Sequence, residues 1–299
     1  MNVKYDLIVV RYGEIALKSR YVRNKFETIL ISNIKNTLKE REIESRIEKE
    51  WGRIYIYTDK ISHTLNVLKK IFGIISFSPA VKTNSEINSI SKKSIEYIKE
   101  KIKKEKSFAI RSNRAGNHDF SSKDVAIKIG NDIVTKFKLK VDLTNPDFEL
   151  FIDIREDYTY IFNKKIKGQG GMPLGSQDKL LCIVNDKTSL LSSFYLLKRG
   201  CKILFFTSDI FDKRELENYL KNWFVKDNII YFNFEKGFFK NINKIVEKEK
   251  CKAVISDIYT DDEIDIIKKL NKEIKVPILY PLISMDKIQI NNKLKEIGL

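Results

Sequence analysis

A short polar break, Asn185-Asp186-Lys187-Thr188-Ser189, separates an apolar run over residues 180–184 from an amphipathic stretch that ends at Gly200. Strand, loop and helix in that order make the corner of an open α/β sheet at which phosphates are held on backbone amides. Such a loop ordinarily needs glycine, because the chain must curve tightly to aim successive amides at one anion. This break contains none. Lys187 offers a point charge, which does not replace a nest of amides, and Asp186 would face the phosphates with like charge. The pattern reads as the remnant of a nucleotide site.

Other residue types that carry chemistry are sparse. Residues 257–265 hold Asp257, Asp261, Asp262, Glu263 and Asp265. Two readings stay open for them: a carboxylate set for Mg²⁺, or the acidic first turn of a helix, which the helix dipole favours by itself. Without a cation such a cluster repels both ATP and RNA. His63 and His118 are the only histidines, too few beside three scattered cysteines for a zinc site, and no metal is expected. Cys182, Cys201 and Cys251 form no Cys-x-x-Cys pair, which suits a reducing compartment and argues against a disulfide framework. None has an evident activating base, so all three read as structural thiols.

The elements that must position these residues follow from periodicity. Over the first 80 residues the order is strand, helix, strand, strand, helix, strand, with strands expected at 5–10, 54–57 and 74–81 and helices at 23–42 and 63–72. Gly73 is expected to cap the second helix. That order is the split βαβ, or ferredoxin-like, arrangement. A lysine-rich helix at 87–106, a strand at 107–112, a helix at 122–137 capped by Ser121 or Ser122, and strands at 149–155 and 158–164 make a second α/β unit. Residues 166–175 hold four of the twelve glycines and read as a linker. Beyond it, strands at 180–184, 202–206, 229–232, 253–256 and 278–279 alternate with helices, which means right-handed βαβ units and a parallel sheet. The expected division is 1–82, 83–167, a glycine-rich linker at 168–177, and 178–299.

The chain of 299 residues carries 56 Lys and Arg against 40 Asp and Glu, a net charge of +16. Such an excess favours polyanions. It is uneven, with 34 basic and 22 acidic residues up to position 175 and 22 against 18 after it. A nucleic-acid surface therefore belongs in the first half. No apolar run approaches the roughly 20 residues of a membrane span, and the N-terminus lacks a signal-peptide pattern, so the cytoplasm is expected.

Arg11-Tyr12-Gly13-Glu14-Ile15-Ala16-Leu17-Lys18, with Arg23, Phe26 and Glu27, resembles the opening of ThiI-type tRNA 4-thiouridine synthetases. Residues 107–134, Val141-Asp142-Leu143-Thr144-Asn145-Pro146-Asp147 and Ile152-Asp153-Ile154-Arg155 resemble the THUMP domain of that family. Residues 168–175 are similar to its glycine segment, and residues 277–287 with Ile297-Gly298 to its C-terminal signature. The resemblance implies a ferredoxin-like and a THUMP domain that grip the tRNA acceptor end, and a PP-loop domain that adenylates uridine 8 so that sulfur can replace its oxygen. It implies RNA contacts at Arg11, Lys18 and Arg23, and at Arg111, Arg114, Lys123, Lys164, Lys165 and Lys167. Of these the two THUMP arginines suit phosphate forks.

The last domain departs from the family. Active members carry a serine, two glycines, a variable residue, aspartate and serine where this chain has residues 185–190, and a histidine-rich stretch where it has Phe205-Phe206-Thr207-Ser208. They carry glycine-rich amides where it has residues 256–263, and they continue toward a sulfur-handling cysteine. The expectation is a tRNA-binding protein with an inactive PP-loop domain, whose chemistry falls to a separate catalytic protein or subunit. ATP and Mg²⁺ enter only if the loop is still competent. The alternatives are an active ATP-dependent tRNA sulfurtransferase with an unusual loop, and an RNA-independent scaffold. A homodimer is an arrangement the sequence leaves open, as is a role in thiamine metabolism.

Overall fold

A computed structural model describes residues 4–208, 211–225, 229–232, 237–260 and 264–299. The first part of the chain runs β1 (Leu7–Arg11), a 3-10 turn (Glu14–Leu17), α1 (Arg20–Glu40), β2 (Arg46–Glu50), β3 (Arg53–Tyr57), α2 (Ile61–Leu68) and β4 (Ser76–Asn84). It continues with α3 (Ile87–Lys101), β5 (Ser107–Arg114), α4 (Ser122–Phe137), β6 (Lys140–Val141), β7 (Phe148–Ile154), β8 (Tyr158–Phe162) and β9 (Ile166–Lys167). Two units emerge: one holds residues up to 12, 38–69 and 75–167, the other 13–37, 70–74 and 168–299.

The first unit is built on one mixed sheet, in the order β2-β3-β1-β4-β8-β7-β5-β6, with β9 also beside β4. β4 joins its halves: residues 76–80 pair with β1 and residues 81–84 with β8, so the strand runs through positions 82 and 83 without a break. The sheet curls sharply about it. Tyr55 of β3 stacks on Tyr160 of β8 with ring centroids 4.5 Å apart, whereas three strand spacings in a flat sheet would hold them roughly 14 Å apart. Leu7, Val9, Tyr55, Ala80, Tyr160 and Phe162 form a small core inside the curl. A larger core, with Val81, Phe108, Leu150, Ile152 and Ile161 from the strands, takes Ile90 and Ile98 of α3 and Val125, Ile129 and Ile133 of α4. Ser121 caps α4 in a reciprocal capping box with Asp124.

Gly73 does not cap α2, which closes at Leu68 with Lys69 in the capping position. The glycine has another duty. At φ +97° it lies so close to Pro173 and Leu30 that a Cβ would stand 3.1 Å from the Pro173 nitrogen. The glycine-rich segment is likewise packed: Gly170 donates to the Ile74 carbonyl at 2.7 Å and Met172 to the Lys198 carbonyl at 2.9 Å. A Cβ on Gly171 would stand 2.0 Å from the Lys198 oxygen, which no side chain tolerates.

The second unit continues with β10 (Lys179–Val184), α5 (Lys187–Lys198), β11 (Lys202–Ser208), α6 (Lys213–Trp223), β12 (Ile229–Phe232), α7 (Phe238–Glu249), β13 (Val254–Ile255), α8 (Ile264–Glu273), β14 (Ile278–Leu279) and α9 (Lys287–Ile297). Its sheet is parallel, in the order β12-β11-β10-β13-β14. Leu180, Cys182 and Val184 pack on one face, with Phe205 and α5, while Leu181, Ile183, Leu204 and Phe206 pack on the other with Ile242 and Val246. Burial on both faces explains why these strands read as unbroken apolar runs. The chain order reverses beside β10, which puts the switch point between the C-terminal ends of β10 and β13. No described helix is long and apolar enough to cross a membrane.

Candidate functional site

The polar break occupies that switch point. β10 ends at Val184 and α5 begins at Lys187, so only Asn185 and Asp186 connect them. Asp186 is the N-cap of α5, and its Oδ1 accepts from the Thr188 amide at 2.7 Å and the Ser189 amide at 3.1 Å. The Ser189 hydroxyl accepts in turn from the amides of Asn185 at 3.0 Å and Asp186 at 3.3 Å. Four backbone amides at this corner are thus satisfied from within the chain. A phosphate arriving here would have to displace a tethered carboxylate from the helix terminus it neutralises.

A second carboxylate closes the mouth. Asp257, just past β13, accepts from the Ser189 hydroxyl and, at 3.4 Å, from the Asn185 side-chain amide. Burial pushes its carboxyl above the ordinary range, and nearby Asp186 adds to the rise. Lys187 is drawn aside into an ion pair with Glu215 at 2.9 Å. A nucleoside triphosphate would meet amides already taken and the carboxylates of Asp186 and Asp257. Asp261, Asp262 and Glu263 lie outside the described residues, and Asp265 stands in the first turn of α8 as an acidic helix start.

The thiols are enclosed. Cys182, Cys201 and Cys251 are free and buried. Burial pushes Cys201 and Cys251 up to about 11, and Cys182 well above its ordinary value.

The basic candidates divide between surface and interior. Lys18 is exposed and Arg23 partly buried, both in the second unit. Lys123, Lys164, Lys165 and Lys167 are exposed in the first unit, as is Arg114, which donates to the Gly116 carbonyl at 2.9 Å. Arg111 is held by Glu149 at 2.9 Å and by the Leu143 carbonyl at 2.8 Å. Arg11 points inside the curl, donating to Ser78 at 3.0 Å with its guanidinium 4.6 Å from the Phe162 ring centre. Burial, and then Arg53, push it down to about 10.

Around Arg11 stand the candidate Lys165 and three residues absent from the sequence-based candidates, Arg53, Asp153 and Arg155. Asp153 of β7 takes Arg53 at 2.8 Å and Arg155 at 3.1 Å. Burial alone would raise this carboxyl, yet Arg53 and Arg155 hold it below its ordinary value. Arg155 also reaches the Trp51 carbonyl at 3.4 Å. The ammonium of Lys165 lies 4.1 Å from the Phe151 ring centre, and burial and Arg11 both lower its pKa. The available signal was the alternation in Ile152-Asp153-Ile154-Arg155, where two charges occupy one face of a strand whose flanking residues are apolar.

A family model described as the ThiI ferredoxin-like domain matches residues 7–78, and one described as the THUMP domain matches residues 84–163. A probable tRNA sulfurtransferase of Methanobrevibacter smithii is 31% identical over 99% of this chain and 87% of its own length. Another, of Methanocaldococcus jannaschii, is 32% identical over 97% and 87%. Among solved structures, PH1313 of Pyrococcus horikoshii superposes with a TM-score of 0.85 at 31% identity, covering 98% of this chain and 100% of that one. A 4-thiouridine synthetase–RNA complex with bound ATP superposes at 0.80 with 24% identity, covering 99% and 85%, and shares the fold.

Proposed function

The chain belongs to the tRNA sulfurtransferase family, and from that premise we propose that it is a tRNA-binding member whose PP-loop domain no longer binds ATP. The relatives are named for tRNA as substrate, and the two matched domains coincide with the half of the chain that carries the charge excess. Lys123, Lys164, Lys165 and Lys167, with Arg114, supply exposed charge for the phosphates of an acceptor end, which RNA-binding modules read through backbone and shape.

One observation carries the inactive-domain reading: the Asp186 carboxylate and the Ser189 hydroxyl occupy the four amides of the nucleotide corner. The domain persists as a packed body, and sulfur transfer falls to a separate catalytic protein in the cytoplasm.

The test is Mg-ATP binding to the purified chain, with and without tRNA, by filter binding up to millimolar nucleotide. The expected result is retention of tRNA with no saturable nucleotide binding. Micromolar ATP affinity, about −8 kcal/mol, would restore the reading as an active ATP-dependent sulfurtransferase. Equal affinity for tRNA and for unrelated RNA of the same length would instead leave only a general basic surface.

A further inference from the structure

The inside of the curled sheet collects more positive charge than it neutralises. Val9 pairs with Tyr55 across β1 and β3. Arg11 lies two residues beyond Val9 and Arg53 two before Tyr55, so both project from the same face. Arg155 reaches this face just after β7, and Lys165 just before β9. Four cations therefore meet around Asp153. Of the other carboxylates nearby, Glu149 pairs with Arg111 at 2.9 Å while also acting on Lys165, and Glu50 accepts from the Tyr55 hydroxyl at 3.0 Å.

The arginines are also short of acceptors. Arg11 Nη2 and Arg155 Nε are both shut off from solvent and donate to nothing in the protein. Only 9% of the Arg155 surface is exposed. A buried donor without a partner is costly, and one on a guanidinium more so. Like charges gathered with two buried donors unfilled describe a place prepared for an anion. Phe162 beneath Arg11 and Phe151 beneath Lys165 hold two of the cations in position.

We propose that Arg11, Arg53, Arg155 and Lys165 form an oxyanion site that takes one phosphate group. A tetrahedral oxyanion presents acceptors in several directions, which suits donors arriving from β1, β3, the end of β7 and the start of β9. Lys165, exposed at the rim, is the first contact, and the guanidiniums lie behind it. That the phosphate comes from RNA rests on the tRNA-binding reading above; the site itself does not.

The experiment follows thermal unfolding of the full chain in inorganic phosphate and in chloride at equal ionic strength, for the native protein, Lys165→Ala and Arg11→Gln. Filter binding of tRNA with phosphate as competitor is run alongside. Phosphate should raise the native midpoint, and Lys165→Ala should shift the half-effective phosphate concentration upward by roughly tenfold, the worth of one charge-assisted contact. Arg11→Gln should abolish the response; because that variant could fold poorly, the exposed Lys165→Ala carries the decision. Equal midpoints in phosphate and chloride would overturn the site, as would an unchanged phosphate response in Lys165→Ala. Phosphate that protects and also displaces tRNA assigns the site to an RNA phosphate. Protection without displacement leaves the site standing for free phosphate and removes the RNA origin. Tight tRNA binding with no phosphate effect would sink the site and spare the RNA-binding reading, whereas phosphate protection without any tRNA binding would do the reverse.

Discussion

Arg53 and Asp153 meet at 2.8 Å although four strand spacings separate β3 from β7 along the sheet. In a flat sheet that path is roughly 19 Å, so the ion pair exists only because the sheet curls about β4. It closes the inner face beside the stacked Tyr55 and Tyr160 rings. The interior it seals holds a carboxylate that two guanidiniums depend on, and this gives the first prediction.

Asp153→Asn should destabilise the protein by about 3–5 kcal/mol at pH 7, since it leaves buried guanidiniums uncompensated. Asp153 has a folded-state pKa below its unfolded one despite burial, because of Arg53 and Arg155. Its contribution is therefore complete above the unfolded pKa, near 4, and is lost as pH falls through the lower folded value. Urea unfolding of native and variant proteins from pH 7 down to pH 3 should show the gap closing at the acid end. A gap independent of pH would assign the loss to packing instead.

Asp257 has the opposite sign. Burial raises its folded pKa above the unfolded value, so the folded state holds the proton more tightly and stability falls as pH rises between the two. Asp257→Asn keeps an acceptor for Ser189 and Asn185 while removing the charge. It should melt above the native protein at pH 7, with the advantage disappearing at acidic pH, as calorimetry across that range would show.

Asp186→Ala removes the cap of α5 and should cost about 1 kcal/mol in denaturant unfolding. Ser189→Ala should cost more, because Ser189 is fully buried and its loss strips a partner from Asp257 and from two amides. Equal and negligible effects for both would mean the corner does not hold itself closed as its hydrogen bonds indicate.

Binding to tRNA should weaken steeply with salt, and each phosphate-contacting lysine removed should flatten the log–log slope by about 0.7–0.9. Lys123→Ala and Lys164→Ala are the clean probes, being exposed and outside the Asp153 cluster. Arg111→Glu also breaks the pair with Glu149, so its folding must be measured beside its affinity. Lysine variants with an unchanged slope would place the RNA on another face.

The thiols should be nearly inert in the folded protein. Cys201 and Cys251, pushed up to about 11 by burial, and the enclosed Cys182 should react with a disulfide reagent at pH 8 only on unfolding, when all three titrate. A thiol that reacts at once in native buffer would reopen sulfur handling by this chain.

Much of this protein is local in origin and was legible in its sequence. Apolar runs alternating with helical stripes dictated the parallel sheet after residue 178, because buried parallel strands admit little else. Residues 185–189, without glycine, form a corner whose four amides bond to Asp186 and Ser189. Ser121 announced its helix through the capping box.

What only the tertiary structure decided is non-local. Periodicity shows that Arg11 shares a face with Val9, but not whether that face meets solvent or curls inward, because curvature arises from strands pairing across 65 to 80 residues. So Arg11, expected at a surface, points into the curl, where Arg53 joins it without any motif to announce it and Asp153 and Arg155 are marked only by the alternation of residues 152–155. The same holds at the nucleotide corner. Asp257 lies 68 residues from Ser189 in sequence and closes the loop only because β10 and β13 are neighbours in the sheet. Sequence spacing sets which side chains share a strand face or a helix stripe; which faces then meet depends on the order and bend of the sheet, which no short stretch of chain encodes.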